Sequence, residues 1–147
     1  MLKNITKRES GFTLLELLIV IVIIGILALL IIPNITSAPK KARDTQRKTD
    51  MRAIQKGLEE YFTSSNVYPA TTGALTSGTT PIMKTVPVDP KGTTSPGVYV
   101  YNYTPSAAFD SYILHACLEN AGDNGQFVST DTTCTGATKA FTLLNNN

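Results

Sequence analysis

The sequence predicts an α+β fold: one long N-terminal helix, apolar in its first half and amphipathic in its second, packed on a small antiparallel β-sheet head. Three observations carry this. A single apolar run fills residues 12–32, apolar residues recur at helical spacing beyond Pro39, and from Tyr68 onward Thr, Gly and Pro punctuate short alternating segments. With 147 residues the chain can bury one modest core, which excludes a large multidomain enzyme. Mean hydropathy of +0.03 and 42% hydrophobic residues look ordinary, yet only 16% of residues are charged, well under the roughly 25% of soluble domains. The apolar content is therefore concentrated, and residues 12–32 are where it lies.

As a helix that run of 21 residues is roughly 31 Å long, the thickness of a bilayer's hydrocarbon core. It reads as a membrane segment. A cleaved secretory signal would be shorter and would end in small residues, whereas this run ends Ile31-Ile32-Pro33-Asn34. Glu16 interrupts it, and an ionisable group in such a segment normally has a partner. Charge on either side leaves orientation undecided: Lys3, Lys7 and Arg8 precede the run, but Lys40, Lys41, Arg43, Arg47 and Lys48 come closely after it.

Past Pro39, Ala42, Met51, Ile54, Leu58 and Tyr61 or Phe62 form an apolar stripe for the head's sheet, and the helix is expected to end near Ser64-Ser65-Asn66, before Tyr68-Pro69. Residues 40–56 hold seven cations (Lys40, Lys41, Arg43, Arg47, Lys48, Arg52, Lys56) against Asp44 and Asp50, a local charge of +5, while residues 64–147 sum to −2. The basic row is expected on the face opposite the apolar stripe. Cation rows bind phosphate, but no aromatics interleave here, so direct nucleic-acid binding through the stem is not adopted; packing against acidic head surfaces of neighbouring subunits is the simpler account.

In the head, residues 70–90 read as a loop wrapping the helix–sheet junction. Residues 97–104 alternate Val98 and Val100 with Tyr99, Tyr101 and Tyr103, a strand with one aromatic face; 109–119, 126–129 and 139–144 come next as strands, and short connections favour an antiparallel meander on the helix. Cys117 and Cys134, with 16 residues between them, would if oxidised close a loop contributing about 3 kcal/mol in the chain-entropy model, which requires a compartment outside the cytoplasm; two separate buried thiols are the alternative. With His115 the only histidine and no C-x-x-C pair, spacing argues against zinc.

Residues Gly11-Phe12-Thr13-Leu14-Leu15-Glu16 resemble, at all six positions, the processing motif of bacterial type IV prepilins and type II secretion pseudopilins. The resemblance implies the type IV pilin fold and a division into a cleaved leader (1–11), a transmembrane and filament-core helix (12–39), an amphipathic basic helix (40–66) and a globular β head (67–147). It implies that a membrane-embedded prepilin peptidase cuts after Gly11 and methylates the new terminus on Phe12, and that Glu16 pairs with a neighbouring subunit's terminal amine. Glycine offers the protease an unobstructed carbonyl. The helix is expected to loosen from about Gly25 to Pro33 on assembly; Pro39 departs from the simplest pilins. Tyr68-Pro69, Val86-Pro87-Val88-Asp89-Pro90 and Leu118-Glu119-Asn120 also resemble pilin heads.

The resemblance implies a structural subunit, foremost the major pilin of a type IV pilus used in adhesion, motility or DNA uptake; alternatively the major pseudopilin of a type II secretion system; and, in a third reading, a monomeric membrane-anchored binding module. The implied partners are further copies joined through the N-terminal helices, prepilin peptidase, an assembly platform with its ATPase, and minor pilins. The precursor is expected in the inner membrane with the head outside the cytoplasm, and the polymer at the cell surface. Catalytic motifs such as GxSxG, a Walker loop or HExxH are absent from the sequence, so no enzyme and no cofactor are expected. Glu119, Asp123 and Asp131 could offer calcium the oxygen ligands that related pseudopilin heads do, though a polar turn is the preferred reading of Asp123-Asn124-Gly125. The sequons at Asn4, Asn34 and Asn102 carry no argument.

Overall fold

The structure, a computed structural model, describes residues 11–92, 99–130, 134 and 139–146, with the side chains of 31–36 and 146 outside that description. The leader up to Ser10, the first part of the expected strand 97–104, and Asp131 thus lie outside the described residues. The chain forms two compact units, 1–37 and 38–147.

One helix, α1 (Leu14–Ser65), is common to both units, and its backbone stays helical through Gly25, Pro33 and Pro39. Each proline removes one amide donor, and the helix continues past both. Its end has a local cause: Asn66 adopts φ 57° and donates its N–H to the Phe62 carbonyl at 2.7 Å, a left-handed cap that asparagine tolerates better than most residues. Ser64 and Ser65 add hydroxyl bonds to the Tyr61 carbonyl.

Among the described side chains of the first unit the large apolar ones are all exposed, from Phe12 at 85% to Val20 at 44%. Such a surface is stable only against lipid or other apolar helices. Among the described residues no helix is long and apolar enough by itself to cross a membrane. The described side chains of this stretch of α1 stop at Leu30, so the expected 21-residue span is described only in part, and Ile31 and Ile32 continue it in sequence.

In the second unit Met51, Ile54 and Leu58 of α1 meet Leu75, Tyr112, Leu114, Leu118, Phe141 and Leu143, all 3% exposed or less. Each such side chain contributes about 1.5–3 kcal/mol by leaving water. Leu75 is carried into the core by a short 3-10 helix, Thr72–Thr76. It approaches α1 closely because residue 57 is glycine; a Cβ there would lie 2.9 Å from Met83 Sδ and 3.3 Å from Leu75 Cδ1. Ala42, assigned to the apolar stripe, is exposed, and Asp44 and Arg47 hold the buried positions instead.

Among the described residues four strands make one antiparallel sheet: β1 (Tyr101–Pro105), β2 (Ser111–Leu118), β3 (Val128–Thr130) and β4 (Lys139–Asn146). Their order is β1-β2-β4-β3, which corrects the expected meander. Strand β4 pairs β2 from Lys139↔Leu118 to Asn146↔Ser111 and buries Ala140, Phe141 and Leu143, whereas β3 has three residues and little to bury. The longer apolar strand takes the inner place and the short polar one the edge. Tyr101 and Tyr103 do point to the core side, as the alternation predicts.

Candidate functional site

At its start α1 is capped by its own side chains. Thr13 precedes the first helical turn, its amide and its hydroxyl each donate to Glu16 Oε2 at 2.9 Å, and the Glu16 amide donates back to Thr13 Oγ1 at 3.2 Å. This is a capping box, which satisfies amides that a helix start leaves without partners. Sequence reasoning overlooked it, although Thr-x-x-Glu ahead of an apolar run is its signature. The Glu16 carboxylate therefore has a partner in the single chain, and it sits four residues from Phe12. A Cβ placed on Gly11 would meet nothing within 4 Å among the described residues, so their packing does not demand glycine there. The same holds for Gly25.

A second constellation lies where α1 meets the head. Arg47, fully buried, donates from Nε and Nη2 to the two oxygens of Asp89 at 2.6 and 3.0 Å, and from Nη1 to Asp44 at 2.7 Å and Glu119 at 2.9 Å. Arg43 grips Glu119 with two bonds of 2.7 Å, and Lys91 Nζ stands 3.0 Å from the same carboxylate. Three cations thus face three carboxylates. Asp44 also accepts from the backbone amides of Glu119 and Asn120 at 3.0 and 2.8 Å, fixing the end of β2 to the helix. Tyr99 lies under the Arg47 guanidinium, whose Cζ is 4.6 Å from the ring centroid. From the next residue, Lys48 reaches Asp123 at 2.5 Å. No buried side-chain polar atom among the described residues lacks a hydrogen-bond partner.

Charges respond as this geometry requires. The Arg43 fork holds Glu119 far below its ordinary value of 4.5, against the opposing effect of burial, with Lys91 and Arg47 adding to it. Burial alone would lower Arg47, but its bonds to Asp89, Glu119 and Asp44 outweigh that and raise it.

A further network secures the chain's last strand. Glu59 accepts from Tyr68 at 2.9 Å, Tyr112 at 3.0 Å and Asn145 at 2.9 Å, and Asn145 also bonds the Tyr68 hydroxyl. Burial first, then the bond to Glu59, pushes Tyr68 up to about 12.

This geometry corrects the placement of the basic row. Arg43, Arg47 and Lys48 face the head of their own chain, so the partners assigned to neighbouring subunits are intramolecular for these three. Lys40, Lys41, Arg52 and Lys56 remain exposed. A signal existed: Arg47, Met51, Ile54 and Leu58 fall at i, i+4, i+7 and i+11, one continuous face. Of the calcium candidates, Glu119 and Asp123 are engaged with cations, and Asp131 lies outside the described residues. Cys117 and Cys134 are joined as a disulfide, 5.6 Å apart at Cα. Among the described residues His115 contacts Asn102 at 3.3 Å.

Comparison with known proteins places the chain in a lineage. The family described as "Prokaryotic N-terminal methylation motif" matches residues 6–32. A type II secretion system core protein G of Pseudomonas aeruginosa is 35% identical over 132 residues, covering 80% of this chain and 91% of that protein. One from Dickeya chrysanthemi is 34% identical over 127 residues, covering 71% and 83%, and one from Aeromonas hydrophila is 44% identical over 69 residues, covering 47% and 48%. No solved structure matches the chain significantly. These relatives carry the name of a secretion component, which turns the functional reading away from the cell-surface pilus expected first. By its processing motif, its helix-on-sheet fold and its similarity across nearly the whole length of such proteins, the chain belongs to the type IV pilin and pseudopilin family and is a structural subunit, not an enzyme.

Proposed function

We infer that this chain is the major pseudopilin of a type II secretion system. In this reading a prepilin peptidase removes residues 1–11, Phe12 is methylated, and subunits polymerise through their N-terminal helices into a short fibre that pushes substrates outward. The observation that carries it is the 35% identity to a core protein G over 91% of that relative's length. That similarity extends past the N-terminal motif, which pilins and pseudopilins share, into the head. The exposed apolar surface from Phe12 to Leu30 supports the same reading: it suits the membrane before assembly and a bundle of identical helices after it.

The ionic junction has a mechanical place in this scheme. Force on the head must reach the helix, and a neutral group of three cations and three carboxylates, closed by charge-assisted bonds of 2.6–3.0 Å, resists separation better than apolar contact alone. A deletion strain distinguishes the alternatives. It should lose export of secreted enzymes into the medium while sheared surface fractions of the parent strain show no long fibres by electron microscopy. Intact export together with loss of abundant long fibres would instead identify a pilus subunit. Gly11→Ser should accumulate uncleaved precursor on a gel, and because a Cβ at residue 11 meets no described atom beyond its chain neighbours within 4 Å, that defect would report recognition by the protease.

A further inference from the structure

Between the ionic junction and β3 lies the polar turn Asp123-Asn124-Gly125, whose last two residues serve neither the junction nor the processed end. Asn124-Gly125 is the sole Asn-Gly pair in the sequence, and both residues are exposed. In such a pair the glycine amide nitrogen attacks the asparagine side chain, because the five-membered ring that forms meets no Cβ on the attacking residue. The structure adds two contacts to that chemistry. The Gly125 N–H donates to Asp123 Oδ1 at 2.9 Å, so the attacking nitrogen already shares its proton with a carboxylate. Lys48 does not compete for that oxygen, since it holds Asp123 by Oδ2. From the start of β4, Lys139 Nζ donates to Asn124 Oδ1 at 3.1 Å, which puts a cation on the carbonyl oxygen under attack. A proton acceptor on the nucleophile and a charged donor on the developing oxyanion are the two aids that acyl transfer uses. Ring closure needs Asn124 to swing its Cγ onto the next amide nitrogen, which an exposed residue outside helix and strand is free to do.

We propose that Asn124 is a self-modification site, where the folded head deamidates through a succinimide with Asp123 and Lys139 assisting. The Gly125 nitrogen bonds to Asn124 Cγ and its proton passes to Asp123. The tetrahedral oxyanion rests on Lys139 and then collapses. As it does, the bond from Cγ to Nδ2 breaks, and the proton held by Asp123 leaves with that nitrogen as ammonia. Water then opens the ring. Addition at the side-chain carbonyl gives aspartate, and addition at the Asn124 backbone carbonyl gives isoaspartate. The sum consumes one water and releases one ammonia, with no oxidant or reductant. Either product puts a carboxylate where a neutral amide stood, opposite the Lys139 ammonium. Isoaspartate also lengthens the backbone by a methylene between Asp123 of the junction and β3. The change runs one way, and a modified head is more negative by a full charge.

The test incubates the full chain, disulfide intact, in detergent near neutral pH, either folded or unfolded in urea. Peptide mass mapping follows each asparagine, since conversion exchanges NH for O. Asn120, followed by Ala121 in the same loop, is the internal reference. Asn124 should convert faster in the folded chain than in urea, because only the fold brings Lys139 to it. Lys139→Met should slow the folded rate by about tenfold or more, less than the roughly hundredfold loss of such a donor at a dry site because this turn is exposed. Asp123→Ala should slow it by a similar factor. Lys139→Met leaves the Lys48–Asp123 pair in place, so it decides the matter even where Asp123→Ala disturbs the turn. The proposal is overturned if Asn124 persists as long as Asn120, if it converts no faster folded than in urea, or if Lys139→Met converts as the parent does.

Discussion

Arg47 is fully buried with its charge intact, and four hydrogen bonds to three carboxylates are what make that tolerable. Removing one member of such a set leaves the others uncompensated in a dry site, the costly case for buried ions. Arg47→Met should therefore lower the head's unfolding free energy by about 3–5 kcal/mol, read as a fall in the urea midpoint at neutral pH. Arg47→Lys should recover only part of it, because an ammonium cannot span both oxygens of Asp89 as a guanidinium does. Glu119 makes the junction sensitive to acid. Its folded pKa is depressed below the ordinary 4.5, so the stability it contributes is fully present above that pH and is lost as pH falls toward the folded value. Unfolding free energy measured from pH 6 downward should thus drop below about pH 4.5. Glu119→Gln should be less stable than the parent at neutral pH and lose less on acidification; a variant with an unchanged acid limb would remove Glu119 from this role.

At the scale of elements, local chemistry made much of the fold legible. The left-handed Asn66 ends α1 where the Ser-Ser-Asn run predicted, alternation marked the segment that holds β1, and the other three described strands lie within a few residues of their expected segments. Strand order was not legible, because the place of β4 depends on Phe141 and Leu143 finding a long partner in β2, a contact that no local pattern encodes. The side of the helix taken by Arg47 was hidden for a similar reason. Its burial is tolerated only because Asp89 and Glu119 arrive from 42 and 72 residues away, and a cation read alone belongs in water. The first half of α1 poses a different question, since its backbone remains helical at Gly25 in the single chain where loosening is proposed on assembly. Nothing lies within 4 Å of a Cβ added at Gly25, so Gly25→Ala should strengthen the helix by about 0.8–1 kcal/mol. Far-ultraviolet circular dichroism of the detergent-held subunit should show helicity equal to or above the parent's. If loosening near Gly25 is part of polymerisation, the same variant should form fewer fibres, and parental fibre yield would eliminate that part of the proposal.

For the molecule as a whole, the proposed cut after Gly11 changes the charge balance. The full chain has 13 cations and 11 acids for a net +2; losing Lys3, Lys7, Arg8 and Glu9 leaves ten of each. The mature side chains are formally neutral, and the new amine on Phe12 becomes an added charge at the edge of an apolar helix. An ammonium and the Glu16 carboxylate each lose hydration inside a bundle of helices, and pairing between subunits offsets that loss. Yet Glu16 already serves its own chain, accepting two hydrogen bonds from Thr13, so Glu16→Ala would remove a helix cap worth about 1 kcal/mol together with any intersubunit pair. Glu16→Gln separates the two roles, because a glutamine at this place in a capping box still accepts from Thr13 while carrying no charge. We expect Glu16→Gln to be cleaved normally, to match the parent's helicity in detergent, and to assemble as poorly as Glu16→Ala when fibres are sedimented and counted. Were glutamine to assemble like the parent while alanine fails, the carboxylate would matter as a cap alone, and the charge pair at the centre of the proposed fibre would have to be abandoned.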